Sequence, residues 1–315
     1  MPRRLGLPSV YLAAAVATAA TTAVPLAMTP ASGLALRAAP VEPARSYIVT
    51  ARDRVAARDL VGEVRWRVRR YYTSALPGFA TFLTPAELAE LRADTRVRTI
   101  EPDREIHAMT GRGPSRPSGG RASGAGVTMY VVDSGVAVRR DEFGDRAWRA
   151  FDATGGTGRD CGGHGTRLAS RAHDGAPKAG IASVRVLGCG GSGTLADVLA
   201  GLDWVHRHAR GPSVATLSFD GADSPALARA AGSLSESGVF VVTATDGGAC
   251  RVTSDGRAFS GHAPYLAAAA ARHLELHPNA GPAVLASRLN CDTARGAIRQ
   301  NPSGPNNLLM RNGGL

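Results

Sequence analysis

The stretch VTMYVVD (127–133) decides the fold, because it is a nearly continuous apolar run that ends in an aspartate. Such a run is typical of a strand that is buried on both faces of a parallel sheet. Strand and helix patterns alternate after it, which predicts an α/β fold, a parallel sheet with helices on both faces. The strands that follow are predicted at 183–188, 213–219 and 239–245, and the helices at 194–209 and 224–238.

Residues 46–107 have a different pattern, with elements in the order β-α-β-β-α-β. This order predicts a small ferredoxin-like α+β domain. Its second helix has clear start signals, since Thr84 is the expected N-cap, Pro85 takes the first helical position and Glu87 completes a capping box. Residues 108–126 are mostly Gly, Ser, Pro and Arg, which predicts a flexible linker that a protease can reach.

The N-terminus has the layout of a secretory signal peptide over residues 1–35. Arg3 and Arg4 precede an alanine-rich apolar stretch, and small residues follow at 33–35. A membrane anchor is the alternative, but the threonines and Pro25 weaken a stable span. We therefore expect a secreted, extracellular protein without a membrane segment in its mature form.

The net charge of +11 raises the question of a nucleic-acid partner. Of the 37 basic residues, 36 are arginine, and they are scattered along the sequence rather than interleaved with aromatic residues. Nucleic-acid binding needs a clustered basic face. The stretch GCGGSGT (188–194) lacks the lysine of a phosphate-binding loop. We therefore predict no nucleic-acid partner and no nucleotide cofactor.

Three polar residues lie at strand ends or helix starts: Asp133, His164 and Ser260. Each alone has an ordinary structural explanation, as a turn aspartate, an exposed histidine or a helix-capping serine. Together they occur in the order Asp, His, Ser, and a parallel sheet brings such positions to one edge. This is the chain order of the subtilisin triad, unlike that of chymotrypsin or the α/β-hydrolases.

The motifs around these residues resemble those of the secreted subtilisin-like serine proteases (subtilases), in particular the proteinase K and aqualysin branch. VTMYVVDSGV (127–136) is similar to the family's aspartate motif and DCGGHGTRLAS (160–170) to its histidine motif. SGHAPYLAAAA (260–270) is similar to the serine motif and the helix that follows it. The resemblance implies that Asp133 orients the base, His164 is the base and Ser260 is the nucleophile.

The resemblance also implies a zymogen organisation. Residues 46–107 correspond to an inhibitory pro-domain, 127–300 to the peptidase domain and 301–315 to a C-terminal tail, with self-cleavage somewhere in 105–122. The partners implied are protein or peptide substrates and the chain's own pro-domain, and we expect a monomer. The substrate-binding positions implied are Gly190, Gly191, Ser192, Gly193, Ser218, Phe219, Asp220 and Gly221.

The cysteines are consistent with the same family and an exported protein. Cys161 and Cys189 match a disulfide of the aqualysin-type relatives. Cys250 matches a family cysteine whose usual partner is missing, so it pairs with Cys291 or stays free. The family suggests structural calcium, but no calcium ligands are traceable in the sequence, and we predict no metal site and no cofactor.

Three departures from the family pattern bear on activity. Asp246 stands at the oxyanion-hole position, where the family has an asparagine that donates a hydrogen bond to the oxyanion. Phe259 precedes the serine, and only 14 residues separate Asp246 from Ser260, where the family has several dozen. Two interpretations remain: a secreted endopeptidase of reduced activity, or an inactive relative that serves as a peptide-binding or protease-inhibiting module.

Overall fold

The computed structural model describes six ranges of the chain. The predictions for the signal peptide, for Asp246, for Cys250 and Cys291 and for the tail at 301–315 lie outside the described residues. Within the described residues, none of the helices is long and apolar enough to cross a membrane. The described ranges are 43–64, 67–109, 122–221, 223–245, 251–260 and 263–289.

The N-terminal unit is a four-stranded antiparallel sheet with the strand order β2-β3-β1-β4. The predicted capping box of the second helix is present, with the side chains of Thr84 and Glu87 each accepting from the other's backbone N–H. This order confirms the predicted ferredoxin-like domain. Its elements are β1 (Arg45–Ala51), α1 (Arg54–Val64), β2 (Val68–Tyr72), β3 (Gly78–Leu83), α2 (Pro85–Ala93) and β4 (Val97–Pro102).

The main sheet has seven strands in the order β12-β13-β11-β10-β6-β8-β7, and a separate two-stranded sheet joins β5 to β9. The elements are β5 (Glu105–His107), β6 (Thr128–Asp133), β7 (Ala147–Asp152), α3 (His164–Gly175), β8 (Gly180–Arg185), β9 (Ser192–Thr194), α4 (Leu195–His208), β10 (Ser213–Leu217), α5 (Pro225–Glu236), β11 (Val239–Ala244), β12 (Arg251–Val252), β13 (Ala258–Ser260), α6 (Ala263–Leu276) and α7 (Pro282–Leu289). A 3₁₀ helix over Asp141–Arg146 precedes β7.

Helices cover both faces of this sheet, as the sequence predicted. Tyr130 and Val132 of β6 pack in the apolar core with α4 and α5. Met129 and Val131, which alternate with them, pack in the core with α3 and α6. Two-sided burial explains why the sequence of β6 reads as a continuous apolar run.

The shortening between residues 246 and 260 is absorbed at one sheet edge. β13 pairs in parallel with β11, and β12 pairs antiparallel with β13 at the sheet edge. Ala258 is buried in the core beneath α6, and the partly buried Val252 packs against the same core. The sheet is therefore closed by two short strands, and the described core is not left open there.

The N-terminal unit docks on α4 and α5 through backbone groups at the start of each helix. The Ala196 N–H donates to Asp103 Oδ1 at 2.9 Å, and the Ala226 N–H donates to Glu101 Oε1 at 2.8 Å. Carboxylates are favourable at helix N-termini, where backbone donors are unsatisfied and the helix dipole is positive. Both carboxylates lie in or just after β4, so this strand fixes the unit on the two helices.

Asp203 makes the reverse contact from the middle of α4. Its Oδ1 accepts the backbone N–H groups of Thr73 at 3.0 Å, Ser74 at 2.6 Å and Ala75 at 2.9 Å. The residue is 2% exposed. A buried carboxylate that accepts three backbone donors is a strong point of attachment for the turn after β2.

We predict that Asp203→Ala lowers the free energy of unfolding of the full chain by about 2 kcal/mol, because it leaves partly buried backbone donors without an acceptor. The measurement is urea denaturation followed by circular dichroism. Asp223→Ala is the control, since Asp223 pairs with Arg104 but its side chain is 77% exposed, and its loss should cost under about 1 kcal/mol. Equal losses in the two variants would show that Asp203 does not anchor the turn.

Candidate active site

Asp133 ends β6 at the carboxyl edge of the main sheet and is fully buried. Its backbone carbonyl accepts the N–H groups of Val186 at 2.8 Å and Leu187 at 3.2 Å. Its side-chain Oδ1 accepts the Ser134 N–H at 2.7 Å. These bonds hold the carboxylate in one place at the rim where parallel sheets carry their sites.

His164 is the first residue of α3, in agreement with the predicted helix start. Gly163 caps the helix with a φ of +73°, a conformation that favours glycine. A Cβ on Gly165 would lie 2.1 Å from the Gly135 carbonyl oxygen and 3.2 Å from Asp133 Cβ. Glycine at 165 therefore lets α3 approach the end of β6 closely enough for the imidazole to meet the carboxylate.

The two side chains form a buried pair. Nδ1 of His164 lies 2.8 Å from Oδ1 and 3.0 Å from Oδ2 of Asp133. A carboxylate accepts hydrogen bonds, so Nδ1 carries the proton. Burial opposes protonation of the ring, but the hydrogen bond and charge of Asp133, aided by a backbone contact to Met109, raise the pKa of His164 above its usual value.

Asp160 supports this pair through a network that sequence analysis missed. It accepts from the Ser134 hydroxyl at 3.0 Å, from the Gly163 N–H at 2.8 Å and from the Thr166 N–H at 2.9 Å. Burial opposes its ionisation, but the Thr166, Gly163 and Ser134 bonds outweigh it and lower the pKa of Asp160. The sequence does contain a signal for this role: Asp160 lies four residues before His164, and an aspartate just before a helix can accept the first backbone N–H groups of that helix.

A disulfide joins Cys161 to Cys189, with Cα atoms 4.9 Å apart. A Cβ on Gly162 would lie 2.5 Å from the Cys189 carbonyl oxygen, so glycine is needed at that close approach. The loop between the cysteines is worth about 3–4 kcal/mol in the chain-entropy account of cross-linking. The bond ties the loop before His164 to the loop that carries the predicted substrate-binding glycines.

Residues 105–109 lie across the carboxyl edge of the sheet as an extended segment, which we call the tail segment. Its first part, β5, pairs antiparallel with β9, so that Ile106 faces Gly193 and His107 faces Ser192. Farther along, the Ala108 N–H donates to the Gly191 carbonyl at 2.7 Å and the Met109 N–H donates to the Ser218 carbonyl at 2.9 Å. The tail segment therefore has protein backbone on both sides.

Residues 219–221 form the second wall of this cleft. Ala108 forms an antiparallel bridge with Phe219, and the Asp220 N–H donates to the His107 carbonyl at 2.9 Å. A Cβ on Gly221 would lie 3.0 Å from Cδ1 of the fully buried Ile106. Seven of the eight predicted substrate-binding residues therefore lie against the tail segment, and Gly190 occupies the turn that precedes them.

The Asp220 carboxylate also meets His107. The His107 N–H donates to Oδ1 at 2.8 Å, and the His107 ring nitrogen Nδ1 lies 3.4 Å from Oδ2. The two side chains are 58% and 50% exposed. The carboxylate at this position of the cleft therefore faces an imidazole of the tail segment.

The tail segment ends at the Asp133–His164 pair. The Met109 carbonyl oxygen lies 3.1 Å from Nε2 of His164. A carbonyl oxygen only accepts, so Nε2 also carries a proton in this arrangement and the imidazole is a cation. Ala108 and Met109, the first two residues of the predicted linker, are held in the cleft by backbone hydrogen bonds.

Ser260 is the last residue of β13 and is 2% exposed. Its partner in β11 is Ala244, and the Thr245 N–H donates to the Ser260 carbonyl at 3.2 Å. Ala258, two residues earlier on the same face of the strand, packs in the core with α3 and α6. The Ser260 side chain is therefore on the face of the sheet that carries His164, three residues before α6 begins.

The strand register puts Ser260 and Asp133 in one row of the sheet. Phe259 pairs with Thr243, Thr243 with Leu217, and Leu217 with Val132. Three strand spacings separate β13 from β6, which is about 14 Å. Among the described residues, the hydrogen bonds of the His164 ring go to Asp133 and Met109, and none joins it to Ser260.

The sequence also singles out Phe259, which precedes the serine, and predicts no metal site. The Phe259 ring lies 6.0 Å from the Arg257 guanidinium carbon, measured to the ring centre, so this ring contacts a neighbour on its own hairpin. In the described part of the chain, no group of three or more His, Cys, Asp or Glu side chains could hold a metal ion.

The comparison with protein families gives one match in the N-terminal part of the chain. The family described as Peptidase inhibitor I9 matches residues 38–109. The matched range covers the ferredoxin-like unit and the tail segment and ends at Met109.

Curated proteins are similar to this chain in sequence. The "Extracellular serine proteinase" of Thermus sp. (strain Rt41A) is 40% identical over 201 residues, which are 56% of this chain and 48% of that protein. The "Alkaline serine exoprotease A" of Vibrio alginolyticus is 35% identical over 205 residues, covering 56% and 38% of the two chains. The chain thus spans about half or less of the length of these two relatives.

Solved structures agree in fold. A cold adapted subtilisin-like serine proteinase superposes with a TM-score of 0.50 at 27% identity, covering 61% of this chain and 91% of that one. Fervidolysin from Fervidobacterium pennivorans, described as a keratinolytic enzyme related to subtilisin, gives a TM-score of 0.57 at 16% identity and covers 76% of this chain and 56% of that one. With the family match and the curated relatives, these results show that the chain has a subtilisin-like fold, is similar in sequence to subtilisin-like serine proteinases and carries an N-terminal inhibitor-type pro-domain.

Proposed function

We propose that the chain is the zymogen of a secreted serine endopeptidase. Asp133, His164 and Ser260 serve as its catalytic triad, and the pro-domain holds the tail segment in the substrate cleft until the bond after Met109 is cut. The substrates are proteins or peptides that bind in extended form. Relatives named as extracellular proteinases and the signal-like residues 1–35 support export.

One observation supports this proposal most directly: the Met109 carbonyl oxygen lies 3.1 Å from Nε2 of His164. The tail segment reaches it as an added strand between β9 and residues 218–220, the way an extended peptide binds a protease cleft. Among the described residues, Met109 is thus the one whose scissile carbonyl is presented to the base. The family match that ends at Met109 supports the same cleavage position.

The proposed chemistry follows from the charges at the site. His164 acts as the base once Nε2 has lost its proton to solvent and left the Met109 carbonyl: the neutral ring takes the proton of the Ser260 hydroxyl as its oxygen attacks the carbonyl carbon of residue 109, and Asp133 stabilises the imidazolium that forms. His164 then gives the proton to the departing amine, and water hydrolyses the acyl-enzyme. Strands β6 and β13 lie about 14 Å apart. The three triad side chains and two hydrogen bonds of about 2.8 Å can together span roughly this distance, so the triad is close to the longest reach that these contacts allow.

Oxyanion stabilisation is the weaker part of this machinery. The N–H of residue 260 and the positive end of the 14-residue helix α6 can stabilise the oxyanion. Asp246 supplies a donor only when protonated, whereas the family asparagine donates at all pH values. Losing such a donor costs about 10²–10³ in turnover, so the proposed enzyme is slow.

A second candidate function rests on the filled cleft. The tail segment and the buried contacts of Asp203 form an inhibitory complex within one chain, as expected of a protease-inhibiting module. In that case the pro-domain would inhibit related proteases and Ser260 would have no catalytic role. The next experiment separates the two functions.

We predict that a fluorescent phosphonate probe labels the processed chain and that Ser260→Ala abolishes the labelling, because the probe reacts only with an activated serine. Ser287→Ala, a change of an exposed serine on α7, is the matched control and should keep full labelling. Asp133→Asn should lower turnover by about 10⁴, since the wrong tautomer of His164 is favoured. A folded chain that takes no label, yet inhibits another subtilase, would replace the protease proposal with the inhibitor.

We predict that self-processing produces a mature chain beginning at Thr110, which intact-mass measurement and N-terminal sequencing can detect. Met109→Pro should block processing, because proline cannot donate to the Ser218 carbonyl. Met109→Leu keeps the N–H and a similar volume and should be processed normally. A mature N-terminus elsewhere in 110–121, unaffected by Met109→Pro, would refute this cleavage position.

We predict that the cleaved pro-domain dissociates more readily as pH rises. Burial opposes protonation of His164, but the hydrogen bond and charge of Asp133, together with the contact of the Met109 carbonyl at Nε2, raise its pKa, so the protonated ring binds the tail best. Binding is therefore strongest at low pH and is lost as pH rises through the raised pKa of His164.

The measurement is the dissociation constant of the processed complex between pH 5 and pH 9, in a His107→Gln background. That background removes the other imidazole of the tail, which lies beside Asp220 and Glu105. Adding His164→Gln should flatten the remaining pH dependence. Tighter binding at high pH would have the wrong sign for a protonated His164.

A further inference from the structure

A cavity of about 380 Å³ opens beside the candidate active site and has arginine side chains around it. It lies between the loop after β6 and the loop before α3, so Val136 and Asp160 both line it. Four exposed arginines line the rest of its wall, from three separate parts of the chain: Arg139, Arg140, Arg149 and Arg159.

Most of this positive charge has no internal counterion. Arg140 pairs with Glu142 at 2.8 Å. Within the described ranges, no carboxylate lies within ion-pair distance of Arg139, Arg149 or Arg159. Three unpaired guanidinium groups around one small volume repel one another, so the arrangement is unfavourable without a bound anion.

The nearby carboxylates are committed elsewhere. Asp160 points its oxygens at Ser134, Gly163 and Thr166. Asp152 accepts from the Thr154 and Gly158 N–H groups and lies 3.5 Å from Arg185. Asp141 and Asp145 line an adjoining cleft, which shares Arg139, Arg140 and Arg149 with this cavity.

One of the arginines is held in place by the backbone. Gly158 has a φ of +70°, and a Cβ there would lie 3.0 Å from the Arg149 Cδ atom. The stem of Arg149 therefore packs directly over the loop at 158. A guanidinium whose stem is already fixed loses less conformational entropy when it binds a ligand.

We propose that this cavity, which we call the arginine cavity, binds a small multivalent oxyanion such as sulfate, phosphate or a tricarboxylate. Guanidinium groups match such oxyanions because they donate paired N–H groups in a fixed planar fork. The volume is within the usual range for small-ligand sites, about 300–1,000 Å³. Four arginines at a single concavity do not form the extended basic stripe that a nucleic acid needs.

A bound anion would stabilise the region around the active site. Asp160 both lines the cavity and holds Ser134 and Gly163, which flank Asp133 and His164 in sequence. Neutralising the arginines removes repulsion between the loops that carry these residues. This inference does not depend on the proposed function, because it concerns binding and stability only.

Isothermal titration calorimetry with sodium sulfate and sodium citrate, against sodium chloride at matched ionic strength, tests the proposal. The protein is the full chain carrying Ser260→Ala, which removes self-cleavage. We expect saturable binding at millimolar or lower concentration, with the sulfate and citrate arms showing which oxyanion is preferred. Low concentrations avoid the general stabilisation that sulfate gives by exclusion from protein surfaces.

The variants are Arg159→Gln and Arg139→Gln, with Arg229→Gln as the control. Arg229 is an exposed arginine of α5, and its loss changes the net charge equally. The cavity variants should weaken binding at least tenfold and, in chloride alone, should melt at the wild-type temperature or above, because repulsion is relieved. Equal weakening by Arg229→Gln, or no saturable binding to the parent chain, would overturn the proposal.

Discussion

The tail segment lies antiparallel between β9 and residues 218–220, and the arrangement of the site depends on this pairing. Three backbone hydrogen bonds and the buried side chain of Ile106 fix the position of the tail segment in the cleft. This position places the Met109 carbonyl oxygen 3.1 Å from Nε2 of His164. Close approach here is possible because Gly221 carries no side chain, since a Cβ there would lie 3.0 Å from Cδ1 of Ile106.

The pair of Asp133 and His164 depends on local sequence, whereas Ser260 depends on long-range folding. Gly163 and Gly165 let α3 start against the end of β6, so the carboxylate and imidazole meet within a buried pocket. Ser260 reaches the same face through β13, a short strand that replaces a longer stretch of the family. Two strands, β11 and β10, lie between β13 and β6, so Ser260 and Asp133 share one row of the sheet on strands about 14 Å apart.

The sequence predicted the parts of the fold that depend on periodicity and capping. The two-sided apolar run of β6, the capping box at Thr84 and the helix start at His164 are all present. It did not predict β12 and β13, because two- and three-residue strands at an edge have too few positions to show alternation. The position of Met109 was also missed, since a Gly- and Ser-rich neighbourhood suggests flexibility and gives no sign of the cleft that holds its first residues. The clustering of Arg139, Arg149 and Arg159 is not visible in the sequence, because strand β7 and two different loops each supply one of them.

The central claim is that Met109 presents the scissile carbonyl to a triad of Asp133, His164 and Ser260. A crystal structure of the uncleaved chain carrying Ser260→Ala tests it most directly. The account predicts the Met109 carbonyl oxygen within hydrogen-bond distance of His164 Nε2, with the residue 260 methyl within about 4 Å of the carbonyl carbon, where a serine oxygen could attack. An empty cleft, or a residue 260 that stays more than about 8 Å from that carbon, would contradict it.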